Sequence, residues 1–253
     1  LNDMKDSDGF EPYPGSLHYE GDYFWGTSWN IENSQENSVS PIIYDGTQFV
    51  FNPAANSECS AQGGVEAAAG GFSWLGAKLF CEWKGMQLPT EAQWEAAARG
   101  QTKRIWPCGS DVEECWEGMY ACCTGGQTCS WAYECYCCAP FEVDFATSCE
   151  SPFGVKGMYG NAEEWVDDTY TPDHSACSEG CVDPHQSEIS SAGVGHIRKG
   201  GGVYGLDQSW LRISRRWDGE EDVGGDMTGV RCARPDAPFV QPDAGSTASD
   251  GGK

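Results

Sequence analysis

Cysteine offers this chain its widest chemistry. There are fourteen: Cys59, Cys81, Cys108, Cys115, Cys122, Cys123, Cys129, Cys135, Cys137, Cys138, Cys149, Cys177, Cys181 and Cys232. Thiols at this density either cross-link a chain in an oxidising compartment or hold a metal. Nine lie between 108 and 149, a stretch without histidine, and its Cys-x-Cys-Cys run at 135 to 138 matches zinc-ligand spacing poorly. The reading is therefore disulfides. Seven bridges are possible, and full pairing of an odd nine sends at least one bridge outside that stretch, with Cys59 a candidate partner. Cys177 and Cys181 are close enough to staple one loop. Each bridge adds about 2–4 kcal/mol by restricting the unfolded chain.

Other chemistry-bearing side chains are less clustered. His18, His174, His185 and His196 are scattered without ligand spacing. Arg212, Arg215 and Arg216 share one short segment and could clamp a carboxylate or sulfate. The alternative is pairing with the nearby acids Asp218, Glu220 or Glu221. Asp167-Asp168 and Glu220-Glu221-Asp222 read as solvated faces. Of the eleven tryptophans, Trp74, Trp83, Trp94 and Trp165 read as core, while Trp25, Trp29, Trp116 and Trp131 fall in loops. Loop tryptophans either cover small cores or stack on sugars and peptides, and packing is the preferred reading.

Few regular elements exist to position these groups. Residues 1 to about 60 read as loops with one hairpin, Ile42-Ile43-Tyr44 and Phe49-Val50-Phe51 flanking the turn pair Asp45-Gly46. Ser73 is placed to cap a helix carrying Trp74, Ala77, Phe80 and Cys81, with Gly85 just past its end. A second helix starts at Thr90, with Gln93 completing a capping box, and stops at Gly100. Short strands are expected around 161 to 166, 196 to 199, 211 to 216 and 229 to 233. The tail from Pro235 reads as a disordered Gly/Ser/Asp-rich linker. The domain reading is one unit over 1–235, with a Cys-rich insert at about 108–149 and a tail over 236–253.

The charge balance narrows the partners. Fifteen basic against 39 acidic residues give a net charge of -24, which argues against nucleic acid and anionic membranes. No apolar stretch approaches the roughly 20 residues of a membrane span. The chain begins at Leu1 without a signal peptide and reads as a mature or trimmed product, with its compartment indicated by its cysteines.

Four segments together resemble the formylglycine-generating enzyme family, the sulfatase-modifying factors. They are GFSWLGAKLFCEWKGMQLPTEAQWEAAARG at 71 to 100, RIWPCG at 104 to 109, PFGVKGMYGNAEEWVDD at 152 to 168, and RKGGGVYGLDQSWLRISRRW followed by TGVRCARP. The second is similar to the family's Arg-aromatic-Pro-Trp-Gly turn. The resemblance covers about 71 to 235. It implies an irregular, loop-rich α+β fold related to C-type lectins, with few short strands and two helices. It also implies a disulfide between Cys81 and Cys232.

Active family members bind Cu(I) through two cysteines after the Gly-Gly pair, and soft thiolates suit that ion. Aligned without gaps, Gly205 and Trp210 occupy those two positions, and the family's serine falls on Gly202. The expectation is a fold without copper-dependent formylglycine formation. Glu164 falls at the family's calcium glutamate, with the Gly160 and Ala162 carbonyls beside it. Gly157 replaces an Asn or Asp often found there, and calcium is the expected cofactor. The function read from this is a secreted or extracytoplasmic binding module for an unknown protein, peptide or glycan, with Arg212, Arg215 and Arg216 as candidate contacts. The alternative is a divergent metal-dependent oxidoreductase acting on a protein or small thiol.

Overall fold

The computed structural model describes residues 2–13, 16–20, 22–26, 42–51, 70–109, 149–171, 184–186, 195–202, 208–219 and 228–234. Gly205, Cys177, Cys181, most of the Cys-rich insert and the tail lie outside them. The fold is α+β and irregular. The described elements run α1 (Asn2–Lys5), β1 (Phe10–Tyr13), β2 (Ser16–Tyr19), β3 (Asp22–Gly26), β4 (Ile42–Tyr44), β5 (Phe49–Phe51), α2 (Trp74–Trp83), α3 (Glu91–Arg99), β6 (Glu163–Thr169), β7 (His196–Lys199), β8 (Trp217–Gly219) and β9 (Thr228–Gly229). A 3-10 turn spans Gln208–Leu211.

Local chemistry accounts for most boundaries. At the β4–β5 turn, Asp45 Oδ1 accepts from the amides of Thr47 (2.8 Å) and Gln48 (2.9 Å), and Gly46 takes the left-handed φ of +98°. The Gln48 amide bond leads the contacts that hold the Asp45 carboxyl below its usual pKa. Ser73 Oγ accepts from Gly76 N at 2.9 Å and starts α2. Thr90 and Gln93 complete the capping box of α3, with both bonds at 3.1 Å.

Three sheets form: β1-β2-β3, β4-β5, and a four-stranded sheet in the order β8-β7-β6-β9. In the last, β6 pairs antiparallel with β7 and parallel with β9. β6 is its center and is largely buried despite the sequence EEWVDDT. Three indole N–H groups tie the structure around it. Trp165 donates to Phe72 O (2.8 Å), Trp74 to Val166 O (2.9 Å) and Trp94 to Glu164 Oε2 (2.7 Å). One core cluster, including Phe72, Ala77, Cys81, Leu88 and Trp165, joins α2 to β6. Another joins Trp94 and Ala98 of α3 to Val166, Ile197 and Ile213. Cys81 and Cys232 are bonded at 2.04 Å across 151 residues, linking α2 to the segment after β9.

Four expectations need correction. The first 60 residues hold a three-stranded meander as well as the expected hairpin, and a short third helix, α1, precedes it. The strand expected at 211 to 216 is instead the end of a 3-10 turn and a bend, and the chain becomes extended only at Trp217. Trp83 is 44% exposed rather than core. Asp167 and Asp168 are not a solvated pair: Asp168 is buried and caps α3 by accepting from Glu91 N at 2.6 Å, while Asp167 pairs with Lys78 at 3.0 Å.

Candidate functional site

The segment that leaves β7 carries the residues aligned with the family's chemistry. Lys199 ends β7 with its side chain fully buried, its ammonium 2.8 Å from Glu95 and 3.2 Å from Glu91 of α3. Gly200 and Gly201 follow with φ of +87° and +68°. The Gly200 carbonyl accepts from Gly160 N at 2.9 Å, docking this turn on the Gly160-Asn161 turn before β6. A Cβ on Gly201 would stand 2.6 Å from Leu211 Cδ2, so this glycine allows the Gln208–Leu211 turn to lie against the strand end.

That turn presents Trp210. Its ring meets Trp217 edge-on, with centroids 5.0 Å apart and an interplanar angle of 73°. The Arg215 guanidinium lies 4.0 Å over the Trp217 ring. The three arginines of the segment therefore separate. Arg212 and Arg215 are exposed, and neither side chain pairs with an acid among the described residues. Arg216 turns inward, 2.9 Å from Glu91, and donates to Thr171 O at 2.6 Å. Its partner among the described residues, Glu91, is on α3. Of the two residues that the gapless sequence reading sets at the family's copper positions, only Trp210 is among the described residues. Gly202 leaves its would-be Cβ no closer than 3.6 Å to Glu163, so a larger residue would fit.

Beneath this face lies a buttress of cross-links. Cys108 and Cys149 are bonded, and the pair packs with Trp106, Tyr159 and Leu211. Ile213 N donates to Ile105 O at 3.0 Å, fastening the arginine-bearing segment to the same RIWPCG turn.

Glu164 sits elsewhere and in different company. Arg231 grips its carboxylate in a fork, with Nη2 to Oε1 at 2.7 Å and Nε to Oε2 at 2.9 Å, and Trp94 adds the third bond. A guanidinium already balances this carboxylate, and its lone pairs face protein donors. The Glu164 side chain therefore does not fit a calcium ligand in this arrangement. Gly160 donates its amide to Gly200 as above, and Ala162 is buried. Among the described residues, no group of three His, Cys, Asp or Glu side chains is placed to hold a metal ion.

Several titrating groups escape a reading of the sequence. Burial raises the Glu163 carboxyl, offset in part by Arg198 at 2.6 Å. Burial also raises Asp168, against the amides of Gln186 and Glu91. His196 stacks on Trp74 with centroids 3.4 Å apart, and burial depresses its pKa to about 4, with Asp167 opposing and Lys78 assisting. The buried ion pairs of Lys199 do leave a sequence signal, a lysine inside a strand-like run followed by three glycines.

A family model described as the sulfatase-modifying factor enzyme 1-like domain matches residues 52–236. The chain is 29% identical over 165 residues to the serine/threonine-protein kinase pkn1 of Chlamydia pneumoniae, a match covering 65% of this chain and 23% of the kinase. It is 28% identical over 179 residues to the formylglycine-generating enzyme of Bos taurus, covering 66% of this chain and 43% of the enzyme. It is 28% identical over 166 residues to the inactive C-alpha-formylglycine-generating enzyme 2 of Mus musculus, covering 64% and 47%. The chain thus spans less than half the length of each of these relatives. With the family model spanning most of the chain, this protein belongs to the sulfatase-modifying factor (formylglycine-generating enzyme) family.

Proposed function

We propose that this chain is an extracytoplasmic binding module on the family fold, without copper-dependent formylglycine formation, and that it takes a ligand bearing a carboxylate or sulfate group. One observation carries the reading. In a protein of net charge -24, Arg212 and Arg215 stand exposed, without an acidic partner among the described residues, beside the Trp210–Trp217 pair. Exposed guanidinium groups attract anions locally and repel cations even in an acidic chain, while the indoles supply apolar contact. An indole cannot replace a thiolate on Cu(I), and Gly205 contributes no side chain to the second position. The inactive relative supports the idea that this domain persists without the oxidase reaction. The two described disulfides support an oxidising compartment.

Incubating the full chain with Cu(I), oxygen and a Cys-containing sulfatase peptide tests the first half. No aldehyde above a no-protein control is expected. Aldehyde, or stoichiometric copper or iron in the purified protein, would establish the divergent oxidoreductase reading instead. For the second half, sulfate should bind measurably by calorimetry, with at least about five-fold weaker affinity after Arg215→Ala. Equal affinity in the variant would remove the arginines from the site.

A further inference from the structure

The Cys108–Cys149 bond lies against the segment that carries the proposed anion-binding face. Its sulfurs share a packed cluster with Leu211, which sits in sequence between Trp210 and Arg212. Cys108 also belongs to the turn whose Ile105 carbonyl holds the Ile213 amide. The segment is also restrained by Ile213 in the α3 core, by the close seat of Leu211 on Gly201, by Arg216 on Glu91 and the Thr171 carbonyl, and by the pairing of Trp217 with Arg198 of β7. No regular element spans Arg212 to Arg216, so between the Gln208–Leu211 turn and β8 the position of the face is set by such point contacts, those of Leu211 and Ile213 among them.

The two described disulfides differ in setting. Cys81–Cys232 joins a helix to a segment held by a reciprocal pair of backbone bonds between Gln87 and Ala233, at 2.9 and 2.7 Å, inside the largest core cluster. Cys108–Cys149 lies in the smallest cluster and joins two turns, and Cys108 is only partly buried.

We propose that Cys108–Cys149 is a thiol-responsive clamp. Intact, it holds Trp210, Arg212 and Arg215 in their binding arrangement; opened, it releases them. This rests on the reading of that face as the ligand site. The step is a two-electron exchange with a dithiol. The S–S bond breaks, each sulfur gains a proton and an electron, and the dithiol closes to its own cyclic disulfide.

The test uses the full chain, graded dithiothreitol and alkylation mass spectrometry to score Cys108, Cys149, Cys81 and Cys232 separately. Amide hydrogen exchange is followed at Ile213, and calorimetry follows inorganic sulfate. Where Cys108 and Cys149 are reduced and Cys81–Cys232 is intact, exchange at Ile213 should rise at least about ten-fold and sulfate affinity should fall at least about five-fold. Reoxidation should restore both. The double variant Cys108→Ser/Cys149→Ser should match the reduced protein. Unchanged Ile213 exchange with both thiols free overturns the clamp, whatever sulfate does. Failure of the oxidised protein to bind sulfate overturns the ligand reading alone, because the exchange measurement still decides the clamp.

Discussion

At the scale of single residues, the decisive feature is how completely charge is matched inside an acidic protein. Glu164 is held by Arg231 and Trp94, and Lys199 by Glu91 and Glu95. Removing one partner leaves a buried charge without its counterion. Arg231→Met should therefore cost about 3 kcal/mol in chemical denaturation, whereas an exposed arginine such as Arg212→Ala should change stability little. His196 supplies a pH test. The unfolded chain takes up its proton near 6.5, the folded one near about 4. Between those values the unfolded state binds more protons, so this residue's contribution to stability is full above 6.5 and is lost as pH falls toward 4. The loss amounts to about 3 kcal/mol. Asp168 and Glu163 act oppositely, since their raised values favour the folded state as pH falls. The wild-type curve minus that of His196→Phe should isolate the histidine; a flat difference between pH 6.5 and 4 would refute the assignment. Little of this was legible in the sequence. Arg216 has acids two, four and five positions on, yet pairs with Glu91 of α3, because the bend at 212 to 216 turns its side chain inward.

At the scale of elements, the caps were legible and the strands only partly so. Ser73, Thr90-Gln93 and Asp45-Gly46 act through bonds to neighbours a few residues away, which sequence spacing encodes directly. Thr90→Ala should cost about 1 kcal/mol by loss of the capping box, read as a shift in the denaturation midpoint at unchanged slope. Strand β7 falls on its expected residues, but β8 begins where the expected strand ends. Its neighbour is set by pairing with β7, a long-range fact. The meander β1-β2-β3 was missed because Pro12 and the nearby glycines read as loop. Gly201 shows how a glycine can govern an element it does not belong to. In Gly201→Ala, a methyl would meet Leu211 at 2.6 Å in a left-handed backbone position. We expect a loss of about 2 kcal/mol and displaced Trp210–Trp217 signals in near-ultraviolet dichroism.

For the whole molecule, the excess of carboxylates and the cross-links act on opposite sides of the balance. A net charge of -24 loads the folded state with self-repulsion, which salt screens. Raising NaCl from about 0.01 to about 0.3 M should increase the melting temperature. Because Glu164 is balanced by Arg231, millimolar calcium should add no more than magnesium at equal ionic strength. A calcium-specific rise would show that another set of oxygens holds the ion. The family and the irregular α+β fold were legible in four motifs, three of which supply β6 or elements packed or paired with it. The proposed anion-binding face was legible only as three arginines, because their directions depend on the turn at Gly201 and the bend after it. The bond between Cys81 and Cys232, 151 positions apart, also closes the chain between them into a covalent ring. A protease that nicks the backbone once anywhere within it opens the loop without releasing a fragment. The cut protein should migrate as one species on a non-reducing gel and separate only when the cystine is reduced.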